Sequence, residues 1–159
     1  IAGLLGLSPT AFQQMALPAV PPDLLAVFLL FFTLGFLIFA AMYAAVGAMC
    51  NTVQDTQQAQ APVMFIIIGG LFSVFALIND PTGPAAKTLS LVPFLSPFVV
   101  PVRYSLAPLP LSTVLLSAAV TTVGLMVVVW IAGRIYRVGI LSYGKRATLR
   151  DVWRWVRAA

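Results

Sequence analysis

The sequence lacks residues on which much enzyme chemistry depends: its 159 residues include no histidine and no glutamate. Its four acidic side chains are far apart in the chain, at Asp23, Asp55, Asp80 and Asp151. General acid–base catalysis needs a group that titrates near neutrality beside a positioned partner, and a metal centre needs three or four convergent ligands. We therefore expect no catalytic, metal-binding or cofactor-binding site in this chain.

Cysteine and nucleotide-binding motifs are equally scarce. The single Cys50 cannot form an internal disulfide, and no histidine is present to activate it as a nucleophile. Residues Gly139–Lys145 match the glycine and lysine spacing of a phosphate-binding loop, but Arg146 stands where that loop needs a magnesium-binding serine or threonine. Nucleotide binding by this chain is therefore not expected.

What the sequence has instead is apolar side chains. Hydrophobic residues make up 61% of the chain and charged residues only 8%, against about 25% charged in a typical soluble domain. A chain of 17.0 kDa has too little interior to hide so much apolar surface from water. The composition excludes a soluble enzyme, a disordered tail and a nucleic-acid-binding domain, despite the net charge of +5.

Three runs are long and apolar enough to cross a bilayer, at about residues 24–49, 62–78 and 111–135. The first, at 1.5 Å per helical residue, would extend about 39 Å, which exceeds the ~30 Å hydrocarbon core. The second is near the lower length limit. We therefore predict an all-α polytopic membrane protein with three transmembrane helices. No Asp, Glu, His or Lys falls inside these runs, and Arg134 stands at the very end of the third, which argues against coupling to an ion gradient.

The basic residues indicate the orientation, because short basic flanks stay on the cytoplasmic side. Seven of the nine lie at or beyond the end of the third run: Arg134, Arg137, Lys145, Arg146, Arg150, Arg154 and Arg157. We therefore predict a cytoplasmic C-terminus. Within the tail, residues 139–159, a capping box at Thr148–Asp151 opens an amphipathic helix suited to the headgroup layer.

Residues 89–106 are apolar but interrupted by proline every four residues, at Pro93, Pro97 and Pro101. Each proline removes a backbone donor, and lipid offers no water to replace the lost hydrogen bond. A crossing here would also place the basic tail outside. We therefore predict a re-entrant or interfacial hairpin on the outer face, with a kinked fourth span as the alternative.

The linker between the first two spans is polar and rich in glutamine. It is either an ordinary connecting loop or a cytoplasmic docking surface that passes force between the spans and a soluble partner. The residues proposed for that coupling are Gln54, Asp55, Gln57, Gln58 and Gln60.

Several blocks of sequence resemble the permease subunits of type-2 ATP-binding-cassette exporters, in particular the sodium-efflux branch. They are Tyr43–Met49, Val53–Gln60, Pro93–Pro97 with Pro101 and Arg103, and Arg134–Arg146. The resemblance implies that residues 1–159 form the C-terminal half of a six-span permease domain. It also implies a separate cytoplasmic ATPase subunit, which would bind ATP and magnesium, and an outer re-entrant segment that closes the exit.

The leading hypothesis is thus a permease subunit in the prokaryotic cytoplasmic membrane that exports sodium or a small amphipathic compound. A second permease chain would complete a homodimer or heterodimer. The alternatives are a non-transporting membrane anchor or assembly factor and an ion-coupled secondary carrier. Because the sequence does not begin with methionine, we expect it to be a piece of a longer protein.

Overall fold

The computed structural model describes residues 21–50 and 52–139, and every regular element among them is a helix. The elements are α1 Pro22–Met49, α2 Val53–Ala59, α3 Ala61–Asn79, α4 Pro84–Leu89, α5 Ser96–Leu106 and α6 Leu111–Gly139. Three helical segments are long and apolar enough to cross a membrane. The predicted fold class, an all-helical polytopic membrane protein, is confirmed.

The three spanning helices match the predicted runs closely. Helices α1, α3 and α6 have 28, 19 and 29 residues, or about 42, 28 and 43 Å of helix against a ~30 Å hydrocarbon core. Helix α1 begins two residues earlier than predicted because Pro22 occupies the first helical position, where a missing backbone donor has no consequence. Helix α6 continues past Arg134 and Arg137 to Gly139.

Helix α5 lies at the centre of the bundle and packs against α1, α3 and α6, whereas α1 and α3 scarcely touch each other. Helices α1 and α6 form the other extensive contact. A buried cluster joins all three of α1, α5 and α6; its members are Val27, Phe31, Val100 and Val114. The short helix therefore acts as a wedge between the spanning helices.

A second buried cluster lies where α3 ends. It comprises Leu77 of α3, Ala86 of α4 and Val99 of α5. Together α4 and α5, with the turn that joins them, form a helix–turn–helix hairpin. This cluster packs both legs of that hairpin against the end of α3.

Candidate functional site: the hairpin and the groove beside it

The turn of the hairpin and the start of α5 reach the middle of the three spanning helices, and each of those helices has a glycine at the point of contact. Pro97 lies against Gly35 of α1, Phe98 against Gly70 of α3, and Pro93 against Gly124 of α6. A Cβ atom added at Gly35 would lie 2.7 Å from Pro97 Cβ. Small residues allow such close approach between helices in lipid. We call Gly35, Gly70 and Gly124 the glycine seat.

Both ends of the hairpin lie at one end of the bundle. The Tyr104 hydroxyl, near the end of α5, donates a hydrogen bond of 2.8 Å to the carboxylate of Asp23, at the start of α1. The Arg103 guanidinium reaches the turn that follows α3, and α6 begins shortly afterwards at Leu111. The segment thus enters and leaves the bundle on the same side, as a hairpin does and a fourth span would not.

Arg103 fastens the second leg of the hairpin to the first. Its side chain is buried; Nε donates to the carbonyl of Pro81 at 2.7 Å, and Nη1 donates to Ser90 Oγ at 2.7 Å. Nη1 also lies 3.4 Å from the carbonyl of Ala86. Burying a charge is costly unless hydrogen bonds replace its hydration. Here carbonyl and hydroxyl oxygens replace that hydration. The guanidinium links α5 to the end of α4 and to the turn that precedes α4.

The three prolines occupy three different positions in the hairpin. Pro93 lies in the turn, Pro97 in the first turn of α5 and Pro101 inside α5. A proline in the first turn costs no backbone hydrogen bond, whereas Pro101 cannot bond to the carbonyl of Pro97. The segment therefore forms a short helix in spite of its prolines.

An apolar groove of about 1010 Å³ runs between α1 and α3, and α5 forms its floor. Its α1 wall is a ladder of phenylalanines, with ring centroids 5.9 Å apart for Phe28 and Phe32 and 6.5 Å apart for Phe32 and Phe36. The opposite wall includes Leu71 and Phe75 of α3. No lining residue carries a charge. The groove suits an apolar molecule or the apolar part of an amphipathic one.

The two sides of α5 face different surroundings. Pro97, Phe98 and Pro101 line the groove, whereas Ser96, Val99 and Arg103 are buried on the other side. On that buried side, the hydroxyl of Ser96 is hydrogen-bonded to the hydroxyl of Thr121 in α6. Helix α5 therefore has one side that lines the groove and one side that packs inside the bundle.

The glutamine-rich linker lies at the opposite end of the bundle, between the end of α1 and the start of α3, and most of it is helix α2. The backbone N–H of Asp55 donates to Thr52 Oγ1 at 3.1 Å, and the Thr52 hydroxyl donates to the Asp55 carboxylate at 2.7 Å. This reciprocal cap fixes the start of α2. Gln54, Gln57 and Gln58 are exposed, whereas Gln60 is partly buried.

The basic residues of α6 lie at the same end of the bundle as the linker. The Arg134 guanidinium stacks 3.9 Å from the centre of the Trp130 ring, and Arg137 is exposed. The other basic residues assigned to the tail, together with its predicted amphipathic helix, lie outside the described residues. They are Lys145, Arg146, Arg150, Arg154 and Arg157.

Sequence reasoning singled out the prolines and Arg103 of the hairpin, but missed the partners that hold it. Neither the glycine seat nor the Asp23–Tyr104 hydrogen bond was predicted, and the groove was missed as well. One signal was available for the groove: Phe28, Phe32 and Phe36 recur every four residues, which places them on one face of a helix.

Three helices long and apolar enough to cross a bilayer, with a hairpin packed among them, indicate an integral membrane protein. A family model described as ABC-2 family transporter protein matches residues 1–134. The chain belongs to this family, whose members are membrane components of ATP-binding-cassette transporters. The match stops at Arg134, so the block Arg134–Arg146, which resembles a C-terminal signature, lies almost entirely beyond it.

Two curated relatives carry names that assign no function. "Uncharacterized protein MJ1024" of Methanocaldococcus jannaschii is 30% identical over 129 residues, which cover 80% of this chain and 32% of the relative. "Uncharacterized protein YhaP" of Bacillus subtilis is 24% identical over 130 residues, or 82% of this chain and 31% of the relative. The chain thus spans about a third of the length of these relatives. No solved structure matches it.

Proposed function

We propose that this chain is the C-terminal half of the permease domain of an ATP-driven exporter in the cytoplasmic membrane of a prokaryote. Membership of the ABC-2 family supports the transporter class. In this proposal the linker and the C-terminus face the cytoplasm and the hairpin lies at the outer face. A second permease chain, identical or related, completes the path.

The observation that carries the proposed cargo class is the groove. Its walls are aliphatic and aromatic, and it holds about 1010 Å³ without a charged lining residue. A sodium ion needs several oxygen ligands in place of its hydration shell, as the carbonyl-lined sites of channels and transporters show. The groove therefore favours a small amphipathic compound over sodium as the cargo of the exporter.

The energy would come from a separate ATPase subunit that binds ATP and magnesium and docks on α2. The exposed side chains of Gln54, Gln57 and Gln58 are available for that contact, while Asp55 caps the helix. Helix α2 connects α1 directly to α3, and these two helices form the walls of the groove. A displacement of α2 would therefore change the width of the groove.

The test uses the full-length protein with its ATPase subunit in liposomes, and measures ATP-dependent movement of a fluorescent amphipathic dye and of radioactive sodium. We expect ATP-dependent dye movement and none of sodium. Phe36→Ala should weaken dye transport about tenfold, which corresponds to the loss of roughly 1.4 kcal/mol of apolar contact. The matched control is Phe65→Ala, because Phe65 is exposed on α3 outside the groove.

Other outcomes identify the alternatives. Transport that survives ATP depletion and stops with the ion gradient would make the protein a secondary carrier. Failure to recover any ATPase partner, together with no transport, would make it an anchor or assembly factor. Replacing Gln57 and Gln58 with glutamate should uncouple ATP hydrolysis from transport in a permease, but leave a passive anchor assembled.

A further inference from the structure

The contact between the hairpin and α6 contains a polar cluster buried in otherwise apolar surroundings. Its three hydroxyl groups belong to Ser96 of α5 and to Ser117 and Thr121 of α6, and all three residues have no exposed surface. The Ser96 hydroxyl is bonded to that of Thr121, and the Thr121 hydroxyl donates to the carbonyl of Ser117 at 2.7 Å. The cluster thus joins the hairpin to a spanning helix by side-chain hydrogen bonds.

One member of the cluster is unpartnered. Among the side chains that the structure describes, Ser117 Oγ is the single fully buried oxygen or nitrogen without a hydrogen bond. Hydroxyls elsewhere in the helices bond back to their own backbone, as Thr33 does to the carbonyl of Leu29 at 2.8 Å and Thr122 to that of Ala118 at 2.8 Å. An unpaired buried hydroxyl is destabilising, because it has lost its hydrogen bonds to water and gained none in return.

The hydrogen-bond capacities show what can pair with it. Thr121 uses its only proton on the Ser117 carbonyl, so Ser96 must be the donor in the bond between the two hydroxyls. Ser96 Oγ then keeps lone pairs that can accept a hydrogen bond. Ser117 Oγ has both a proton to donate and lone pairs, so a molecule that accepts from Ser117 and donates to Ser96 would satisfy both.

A single water molecule has both the donor and the acceptor capacity that such a bridge needs. Ser117 and Thr121 lie one helical turn apart on the same face of α6, which places their Cβ atoms about 5–6 Å from each other. Ser96 Oγ lies beside the Thr121 hydroxyl. A water molecule with hydrogen bonds of about 2.7–2.8 Å to two hydroxyls joins oxygen atoms that lie about 4–5 Å apart.

We propose that an ordered water molecule bridges Ser117 Oγ and Ser96 Oγ where α5 packs against α6. The hydrogen bonds then form a ring that begins at the Ser117 hydroxyl, ends at the Ser117 carbonyl and closes through the covalent bonds of Ser117. Ser117 donates to the water, the water to Ser96, Ser96 to Thr121, and Thr121 to the Ser117 carbonyl. Buried waters typically make two to four hydrogen bonds to groups that would otherwise be unsatisfied. Hydrogen bonds that follow one another in this way strengthen each other.

The sign of one stability change tests the proposal. In the full-length protein purified in detergent, Ser117→Ala should lower the midpoint of thermal unfolding by about 2–4 °C, because the ring loses a hydrogen bond. If Ser117 has no partner, the same variant removes an unpaired hydroxyl and should leave the midpoint unchanged or raise it. That outcome would overturn the proposal. Ser112→Ala is the matched control, since Ser112 is exposed on the same helix.

A direct measurement accompanies it. A map of the full-length protein at a resolution that shows ordered water should contain density between Ser117 Oγ and Ser96 Oγ. The density should disappear in the Ser117→Ala variant. A map without that density, or one in which the Ser117 hydroxyl bonds to its own helix, would overturn the proposal whatever the thermal midpoint.

Discussion

Helix α1 has two neighbouring faces that meet their surroundings in opposite ways. One face, which includes Val27, Phe31 and Gly35, is buried against α5 and α6. The other, one residue along the helix, carries Phe28, Phe32 and Phe36, which are 48%, 58% and 62% exposed and line the groove towards α3. The helices are in contact along the first face, and they remain apart where Phe28, Phe32 and Phe36 line the groove.

The hairpin accounts for the difference. Helix α5 fills the space between α1 and α3, and the hairpin contacts a glycine on each of the three spanning helices. The closed side, where α1 packs against α5 and α6, depends on close contacts that leave no space. The open side, which is the groove between α1 and α3, has space for the helices to move. Substitutions should therefore damage stability on the closed side and transport on the open side.

The largest effect is expected at Arg103. Arg103→Met should destabilise the full-length protein by about 3 kcal/mol, because hydrogen bonds from a charged donor contribute roughly 1.5–3 kcal/mol each and their acceptors would be left unpaired. Thermal unfolding in detergent, followed by circular dichroism, measures the loss. Arg103→Lys should fall between the wild type and Arg103→Met, since an ammonium keeps the charge but lacks the planar fork that bonds to the Pro81 carbonyl and to Ser90.

The control for this charge is Lys87→Met in α4, where the side chain is exposed. It removes a positive charge from the same hairpin without removing a buried contact. Equal losses from Lys87→Met and Arg103→Met would mean that the charge itself, and not its buried hydrogen bonds, stabilises the hairpin.

The next effect is expected at Gly124. Gly124→Ala places a methyl group against the ring of Pro93, which cannot rotate away, and overpacking of this kind costs about 1–3 kcal/mol. Gly133→Ala on the same helix meets open space and should not destabilise the protein. Thermal unfolding of the two variants side by side measures the difference. Similar midpoints would refute the close contact between Gly124 and Pro93.

A smaller effect is expected at Gly70, where two adjacent glycines offer a matched pair. A Cβ atom at Gly70 would lie 2.5 Å from the ring of Phe98, whereas one at Gly69 meets nothing within 4 Å. Because the phenylalanine ring can turn, Gly70→Ala should cost about 1 kcal/mol, less than Gly124→Ala. Gly69→Ala should cost nothing. An equal cost at both positions would point to helix flexibility as the cause.

The smallest effect is expected for Tyr104→Phe, which removes the hydrogen bond to Asp23 and leaves the ring in place. Because that bond is exposed and water can replace it, its loss should lower the midpoint of thermal unfolding only slightly. A double-mutant cycle with Asp23→Asn measures the coupling between the two side chains. A coupling energy near zero would show that the two residues do not hold the open end of the hairpin to α1.

The spanning helices were predictable because lipid demands long apolar runs, and the runs at 24–49 and 111–135 left little choice. The hairpin was predictable from Pro93, Pro97 and Pro101, because lipid does not replace lost backbone hydrogen bonds. The glycine seat was not predictable, since Gly69 and Gly70 are equivalent in sequence and only packing distinguishes them. Likewise, the groove depends on the distance between α1 and α3, which no local pattern contains.

The path of the chain through the membrane is the central claim, and cysteine labelling in intact cells tests it most directly. In a Cys50→Ser background of the full-length protein, Thr82→Cys before the hairpin and Ser112→Cys after it should both react with a membrane-impermeant maleimide. Gln57→Cys in α2 should react only after permeabilisation. Labelling of Thr82→Cys and Ser112→Cys from opposite sides would show that residues 89–106 cross the membrane and would contradict the account.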